Sequence, residues 1–213
     1  MPFFSRSGFC RPLATLGLAL LLGACATVPD GVPADQTSAA TRPYHQAIDI
    51  GGRLSVRYHA NGNDESLHGS FSWEQTRDLT VVTLLSPLGQ TLARIEITPS
   101  SATLMQPGQA PRIADDIDAL TTVALGWPLP VSGLKNWLQA FAASVENPRL
   151  RPVPPQSTVI KTPDGWRLHY VNWQENTSQH LQPYPRRIDL ERYTAQAGEV
   201  ALRIVVDRWQ PRQ

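Results

Sequence analysis

Apolar and polar positions alternate with period two along most of the chain, the pattern of strands that bury one face. Leu54, Val56 and Tyr58 share one parity; Phe71 and Trp73 follow, then Ala93, Ile95 and Ile97, then Trp166, Leu168 and Tyr170, then Ile188 and Leu190. Val200, Leu202, Ile204 and Val206 give the clearest case. Turn signals stand between these runs, at Asn61-Gly62, Asp164-Gly165 and Ala197-Gly198, spaced as in an antiparallel meander. The spacing predicts a fold that is mainly antiparallel sheet.

Two stretches in the middle change to a helical period. The first is predicted over residues 115–125, with Asp115 or Asp116 near its start, Ile117, Leu120 and Ala124 on one face, and Gly126 placed to end it. The second is predicted from about Ser132, which can cap it, with Leu134, Trp137, Leu138 and Phe141 at i, i+3, i+4 and i+7. The stiff connection Trp127-Pro128-Leu129-Pro130 joins them. A curved sheet lidded by these helices encloses an apolar space, so the expected class is α+β.

The amino terminus has a different pattern. Arg6 and Arg11 precede an apolar run from Leu13 to Leu22 broken only by Thr15 and Gly17, too short to span a bilayer and suited to the h-region of a secretory signal. Leu22-Gly23-Ala24-Cys25 follows, the pattern of a bacterial lipobox. The expected division is a signal peptide over 1–24, lipidated Cys25 with a flexible tether over 25–46, and one domain over 47–213. Ala26 rather than Asp follows the anchor, which favours the outer membrane, on its periplasmic face. From Ala26 to about His45 the chain is Pro, Ala, Thr, Ser and Asp with almost no large apolar residue, too little to offset the entropy of ordering.

Removing residues 1–24 takes Lys+Arg from 19 to 17 against 18 Asp+Glu, so the mature net charge is −1. At that balance neither an electrostatic footprint for nucleic acid nor a polybasic patch for anionic lipid is expected. Of the 2 cysteines, Cys10 lies in the signal and Cys25 is the anchor, which leaves no disulfide, thiol nucleophile or cysteine metal cluster in the mature chain.

Enzyme signatures are missing as well. The chain has no Gly-x-Ser-x-Gly elbow, and His45, His59, His68, His169 and His180 form no i,i+4 pair and no His-Glu-x-x-His. Asp115-Asp116-x-Asp118 begins a predicted helix, where negative charge suits the dipole; it lacks the glycine and distal Glu of a calcium loop. The sequon Asn176-Thr177-Ser178 means little in a bacterial lipoprotein. No catalytic residue, metal or cofactor is expected.

Several segments, taken in order, resemble the LolB family of outer-membrane lipoprotein receptors. They are Gly52-Arg53-Leu54-Ser55-Val56, Phe71-x-Trp73, Leu84-Leu85-Ser86-Pro87-Leu88-Gly89, Gly126-Trp127-Pro128-Leu129-Pro130, Leu134-x-x-Trp137-Leu138, Trp166-x-Leu168-x-Tyr170 and Val206-x-x-Trp209. The resemblance implies an open half-barrel of eleven antiparallel strands covered by α-helices on its concave apolar side. It also implies that lipoproteins pass from the periplasmic carrier LolA through an acyl-chain cavity into the outer-membrane lipids. Cavity lining is assigned to some of Leu54, Val56, Phe71, Trp73, Ile95, Leu120, Trp137, Leu138 and Phe141; periodicity does not separate lining from core. A monomer keeps the cavity mouth accessible.

Ser86-Pro87-Leu88-Gly89 has Ser at i, Pro at i+1 and Gly at i+3 of a type I turn, which displays Leu88 at the tip. By resemblance, the loop of Pro87, Leu88 and Gly89 inserts cargo into the membrane. Three rivals remain open: a lipid-binding or envelope-sensing lipoprotein of the same shape, a lipid-anchored hydrolase with a dispersed site, and a structural lipoprotein with a filled interior. The segments 147–155 and 172–183 match nothing in the family pattern.

Overall fold

The computed structural model describes residues 42–60, 62–175 and 182–212. The signal, Cys25, the tether as far as residue 41, Asn61, the sequon 176–178 and His180 lie outside the described residues. Residues Val32–Gln213 form one compact unit, and it holds the whole described core.

The strands are β1 (Ile48–Ala60), β2 (Asn63–Gln75), β3 (Thr80–Leu85), β4 (Thr91–Ile97), β5 (Ala102–Met105) and β6 (Arg112–Ala114). Helices α1 (Ile117–Leu125) and α2 (Val131–Trp137) follow. Next come β7 (Phe141–Ala142), β8 (Arg151–Pro152), β9 (Thr158–Lys161), β10 (Arg167–Gln174), β11 (Tyr184–Thr194) and β12 (Gly198–Pro211). Ten strands form one antiparallel sheet in the order β6-β5-β4-β3-β2-β1-β12-β11-β10-β9, which does not close into a barrel; β7 and β8 pair separately. Family resemblance implied eleven strands in the sheet. The described residues place ten there, because the Pro-rich segment 147–155 supplies β8 to a separate pair and then packs Val153 into the core.

Period-two residues sit as alternation requires. Ile48, Ile50, Leu54 and Val56 of β1 are buried, and Arg53 and Arg57, on the other parity, are exposed. In β12, Val200, Leu202, Ile204 and Val206 are buried on one parity, yet Trp209 is buried on the other. A bulge reconciles the two: Gly51 pairs with Arg208 and Gly52 with Val206, so Asp207 is the extra residue and the parity flips across it. Gly52 permits this close approach, because a Cβ there would meet the Val205 carbonyl oxygen at 2.0 Å.

Helix α1 is capped by Asp116, whose carboxylate accepts from the backbone N–H of Asp118 and Ala119, and it ends at Gly126 with φ 79. Helix α2 departs from expectation. It spans only Val131–Trp137, its N-cap is Pro130 with no side-chain cap, and Ser132 instead donates to Asp118. Asp118 thereby ties the helices together, also accepting from the Ser132 backbone N–H at 3.1 Å. Ala140 takes φ 60, the left-handed region, and turns the chain out of the helix before Phe141. Phe141 therefore leaves the predicted apolar stripe, lies outside the main core cluster, and packs edge-on against Tyr44 with ring centroids 5.3 Å apart.

The end of the compositional tether is already docked. Arg42 is buried over the Trp173 ring at 5.2 Å and donates to the Pro183 carbonyl at 2.5 Å. The His45 backbone N–H donates to Gln139 Oε1 at 2.9 Å, while its carbonyl accepts from Gln139 at 3.2 Å and Gln75 at 3.4 Å. These buried glutamines join the amino-terminal strap, the end of β2 and the end of α2, satisfying polar groups that are costly to leave unpaired.

Candidate functional site

One face of the sheet and the helix layer enclose an apolar interior. Leu54, Phe71, Trp73, Val82, Leu84, Leu202 and Ile204 face it from the sheet; Leu129, Val131, Leu134 and Leu138 close it from above. Four of the residues assigned to a cavity from sequence meet there: Leu54, Phe71, Trp73 and Leu138. Val56, Ile95, Leu120 and Trp137 are buried in the same core cluster away from this space, and Phe141 stands outside that cluster. Val82, Leu84, Leu129, Val131, Leu134, Leu202 and Ile204 were not assigned from sequence, although the parity of Leu202 and Ile204 was visible.

The enclosed volume is about 20 Å³, room for about one water molecule. The lidded space expected from the helical stripe is thus nearly filled. The reason is physical: a void among apolar side chains forfeits dispersion contacts, so the layers settle onto each other. That volume holds no acyl chain while the helices are seated on the sheet.

Polar bonds to the sheet hold one end of the helix layer. Tyr170 donates to the Trp137 carbonyl at 3.1 Å and Trp209 Nε1 to the Leu138 carbonyl at 3.2 Å, satisfying carbonyls at the end of α2. Burial raises the Tyr170 hydroxyl pKa, so it remains a donor. Helix α1 is bonded to the chain around α2, through Asp118–Ser132 and through Thr121 Oγ1 to the Leu129 carbonyl at 3.1 Å. Among the described residues no side-chain hydrogen bond ties α1 to the sheet; it rests there on Ile117 and Leu120.

Outside the interior, the loop between β3 and β4 is built as the turn chemistry predicts. Gly89 N–H donates to the Ser86 carbonyl at 2.9 Å, Gln90 N–H to Ser86 Oγ at 3.2 Å, and Gly89 takes φ 81. Leu88 at its tip is 88% exposed, well above the 40% of Leu79 in the preceding β2–β3 turn. Pro87 and Gly89 fix the loop backbone and leave the Leu88 side chain with solvent on nearly every side.

The opposite face of the sheet is charged. Asp207 accepts from Arg53 at 2.9 Å and from Arg186 at 3.1 Å; Asp189 accepts from Arg187 at 2.6 Å and from Arg203 at 3.1 Å. Arg53 holds the Asp207 carboxyl below its ordinary value. Burial pushes Asp189 up, but the bonds from Arg187 and Arg203 outweigh it and the net shift is downward. Depressed carboxyl pKa values stabilise the fold above the ordinary aspartate value of 3.8, and this contribution is lost as pH falls through the folded values. Asp118 acts in the opposite sense, since burial raises it. Acid unfolding of the Asp189→Asn/Asp207→Asn variant is expected to show a shallower loss of stability below pH 3.8 than the parent, read by denaturant midpoints across pH. Equal slopes would remove these ion pairs from the acid limb.

The family model described as outer membrane lipoprotein LolB matches residues 46–209. Curated relatives agree over nearly the full length. The outer-membrane lipoprotein LolB of Cupriavidus pinatubonensis is 41% identical, covering 97% of this chain and 98% of that protein. Its namesake in Cupriavidus necator is 39% identical over 92% and 94%, and that of Ralstonia nicotianae 35% over 94% and 98%. A solved LolA superfamily protein from Nitrosomonas europaea aligns over 84% of this chain and 92% of that one at 12% identity, with a TM-score of 0.46, too loose a likeness to bear on function. The family-model match and the curated relatives show that the chain belongs to the LolB family.

Proposed function

We propose that this protein is an outer-membrane lipoprotein receptor, anchored through Cys25 with its 47–213 domain on the periplasmic face, which takes lipoproteins from LolA and places them in the outer membrane. The observation that carries this reading is the pairing of an all-apolar interior with one leucine held out at 88% exposure on a loop. Acyl chains are costly to expose, at about 0.8 kcal/mol per methylene, so transfer needs an apolar host that ends at the bilayer. The interior is that host once the segment that closes it, Leu129 to Leu138, lifts from the sheet, hinged at the end of α2 where Tyr170 and Trp209 hold it. The role is lipoprotein localisation and not catalysis, carried out by a monomer whose interior becomes accessible when its lid lifts.

Handover tests this directly. Residues 26–213, mixed with carrier loaded with a labelled lipoprotein, are expected to withdraw the label in a pull-down. Label that stays on a carrier competent with its own receptor overturns the handover. A lipid-binding or envelope-sensing lipoprotein then becomes the better account.

A further inference from the structure

A groove of about 520 Å³ crosses the sheet on the face opposite the helices, and one of its walls is Pro87, the residue next to Leu88. Ser55 and Ser70 keep its floor low, and Arg53, His68 and Arg203 stand around it. Among the described residues no carboxylate lines it. Arg53 reaches Asp207 through Nε and Nη2, and Arg203 reaches Asp189 through Nε, so both guanidiniums retain N–H donors beyond these pairs. Among the described ion pairs beside the groove, four arginines, Arg53, Arg186, Arg187 and Arg203, share two carboxylates, Asp189 and Asp207, an excess of two guanidiniums within these pairs. That excess stands out on a chain whose mature net charge is −1.

We propose that this groove holds the phosphate of an anionic phospholipid headgroup when the Leu88 loop enters the bilayer. It rests on the bilayer-facing reading of that loop. Consecutive Cα atoms are about 3.8 Å apart, and interfacial apolar side chains sit roughly 5–10 Å into the headgroup and acyl boundary. A groove walled by Pro87 therefore lies at headgroup depth when Leu88 lies in the apolar layer. Arginine suits this role because its planar fork bonds phosphate oxygens while its charge answers the anionic surface. Leu88 then senses the acyl layer, and Arg53, His68 and Arg203 sense which headgroups cover it.

The test is flotation of residues 32–213 with phosphatidylcholine vesicles, with and without phosphatidylglycerol. Phosphatidylglycerol is expected to tighten binding roughly tenfold, the increment shrinking as salt rises. Arg53→Gln/Arg203→Gln should remove the increment and leave binding to phosphatidylcholine as it was, and Arg53→Lys/Arg203→Lys should restore most of it. Asp207 keeps Arg186 and Asp189 keeps Arg187 in the Gln variant, so its near-ultraviolet circular dichroism should match the parent. Equal binding to both vesicles, or an increment that survives the Gln pair, overturns the proposal. Loss of the increment to millimolar inorganic phosphate assigns the groove to free phosphate and overturns the lipid as its ligand. Leu88→Glu should weaken binding to both vesicles; no change there overturns the loop reading and this site with it. Failure of cargo handover leaves the vesicle result intact.

Discussion

Leu88→Glu is expected to leave the domain folded and able to take cargo, and to reduce release into liposomes by roughly a thousandfold. Folding is spared because the turn is closed by Ser86, Gly89 and Gln90, and the Leu88 side chain contributes almost no burial to it. The loss in release combines two costs. Burying a leucine in an apolar layer is worth about 1.5–3 kcal/mol, and placing a carboxylate there costs about 2.5–3.5 kcal/mol at the membrane centre, less nearer the surface. Fluorescent cargo in a liposome-incorporation assay measures the effect, with Leu88→Met as a control expected to stay within a few-fold of the parent. Release at the parental rate in the Glu variant removes the loop from the transfer step.

Trp73→Ala is expected to carry the largest stability loss, about 3–5 kcal/mol, with a fall in Tm of roughly 10 °C. Trp73 is 1% exposed, lies on β2 opposite Ile50 of β1 and Val82 of β3, and donates from Nε1 to Gln75 Oε1 at 3.2 Å. Truncation opens a cavity beneath the helix layer and removes one partner of a buried glutamine that also bonds the His45 carbonyl. Guanidinium unfolding with near-ultraviolet circular dichroism reads the change. A loss under about 1 kcal/mol would mean that Trp73 borders space already available to a ligand, and that the closed packing is a shallow minimum.

Together these variants separate the two jobs of the apolar residues. Sequence periodicity puts Trp73, Leu54, Phe71 and Leu138 on buried faces, and all four border the interior. The same reasoning put Phe141 with them through an i+7 spacing, and there it failed. Helical period holds only while the helix continues, and α2 stops at Trp137, with Ala140 turned to positive φ. Ser132 was legible as a polar residue at a helix start, but whether it caps its own helix or bonds Asp118 of the neighbouring one depends on where α1 lies. Leu88 was readable in full as a loop residue, because Ser, Pro and Gly at their turn positions are local chemistry. The arginine–aspartate cluster was not, since Arg53, Asp189, Arg203 and Asp207 are brought together by strand pairing across the whole chain.

What the amino-acid order determined alone was local: strand faces, an acidic helix start at Asp115 or Asp116, the stop at Gly126 and the leucine turn, each set by neighbours within a few residues. Tertiary structure decided the order and number of paired strands, the bulge at Asp207 that turns Trp209 inward, and how little space remains under the helices. Those depend on contacts between residues far apart in the chain, where packing density and register, not local propensity, choose among arrangements that the same pattern allows.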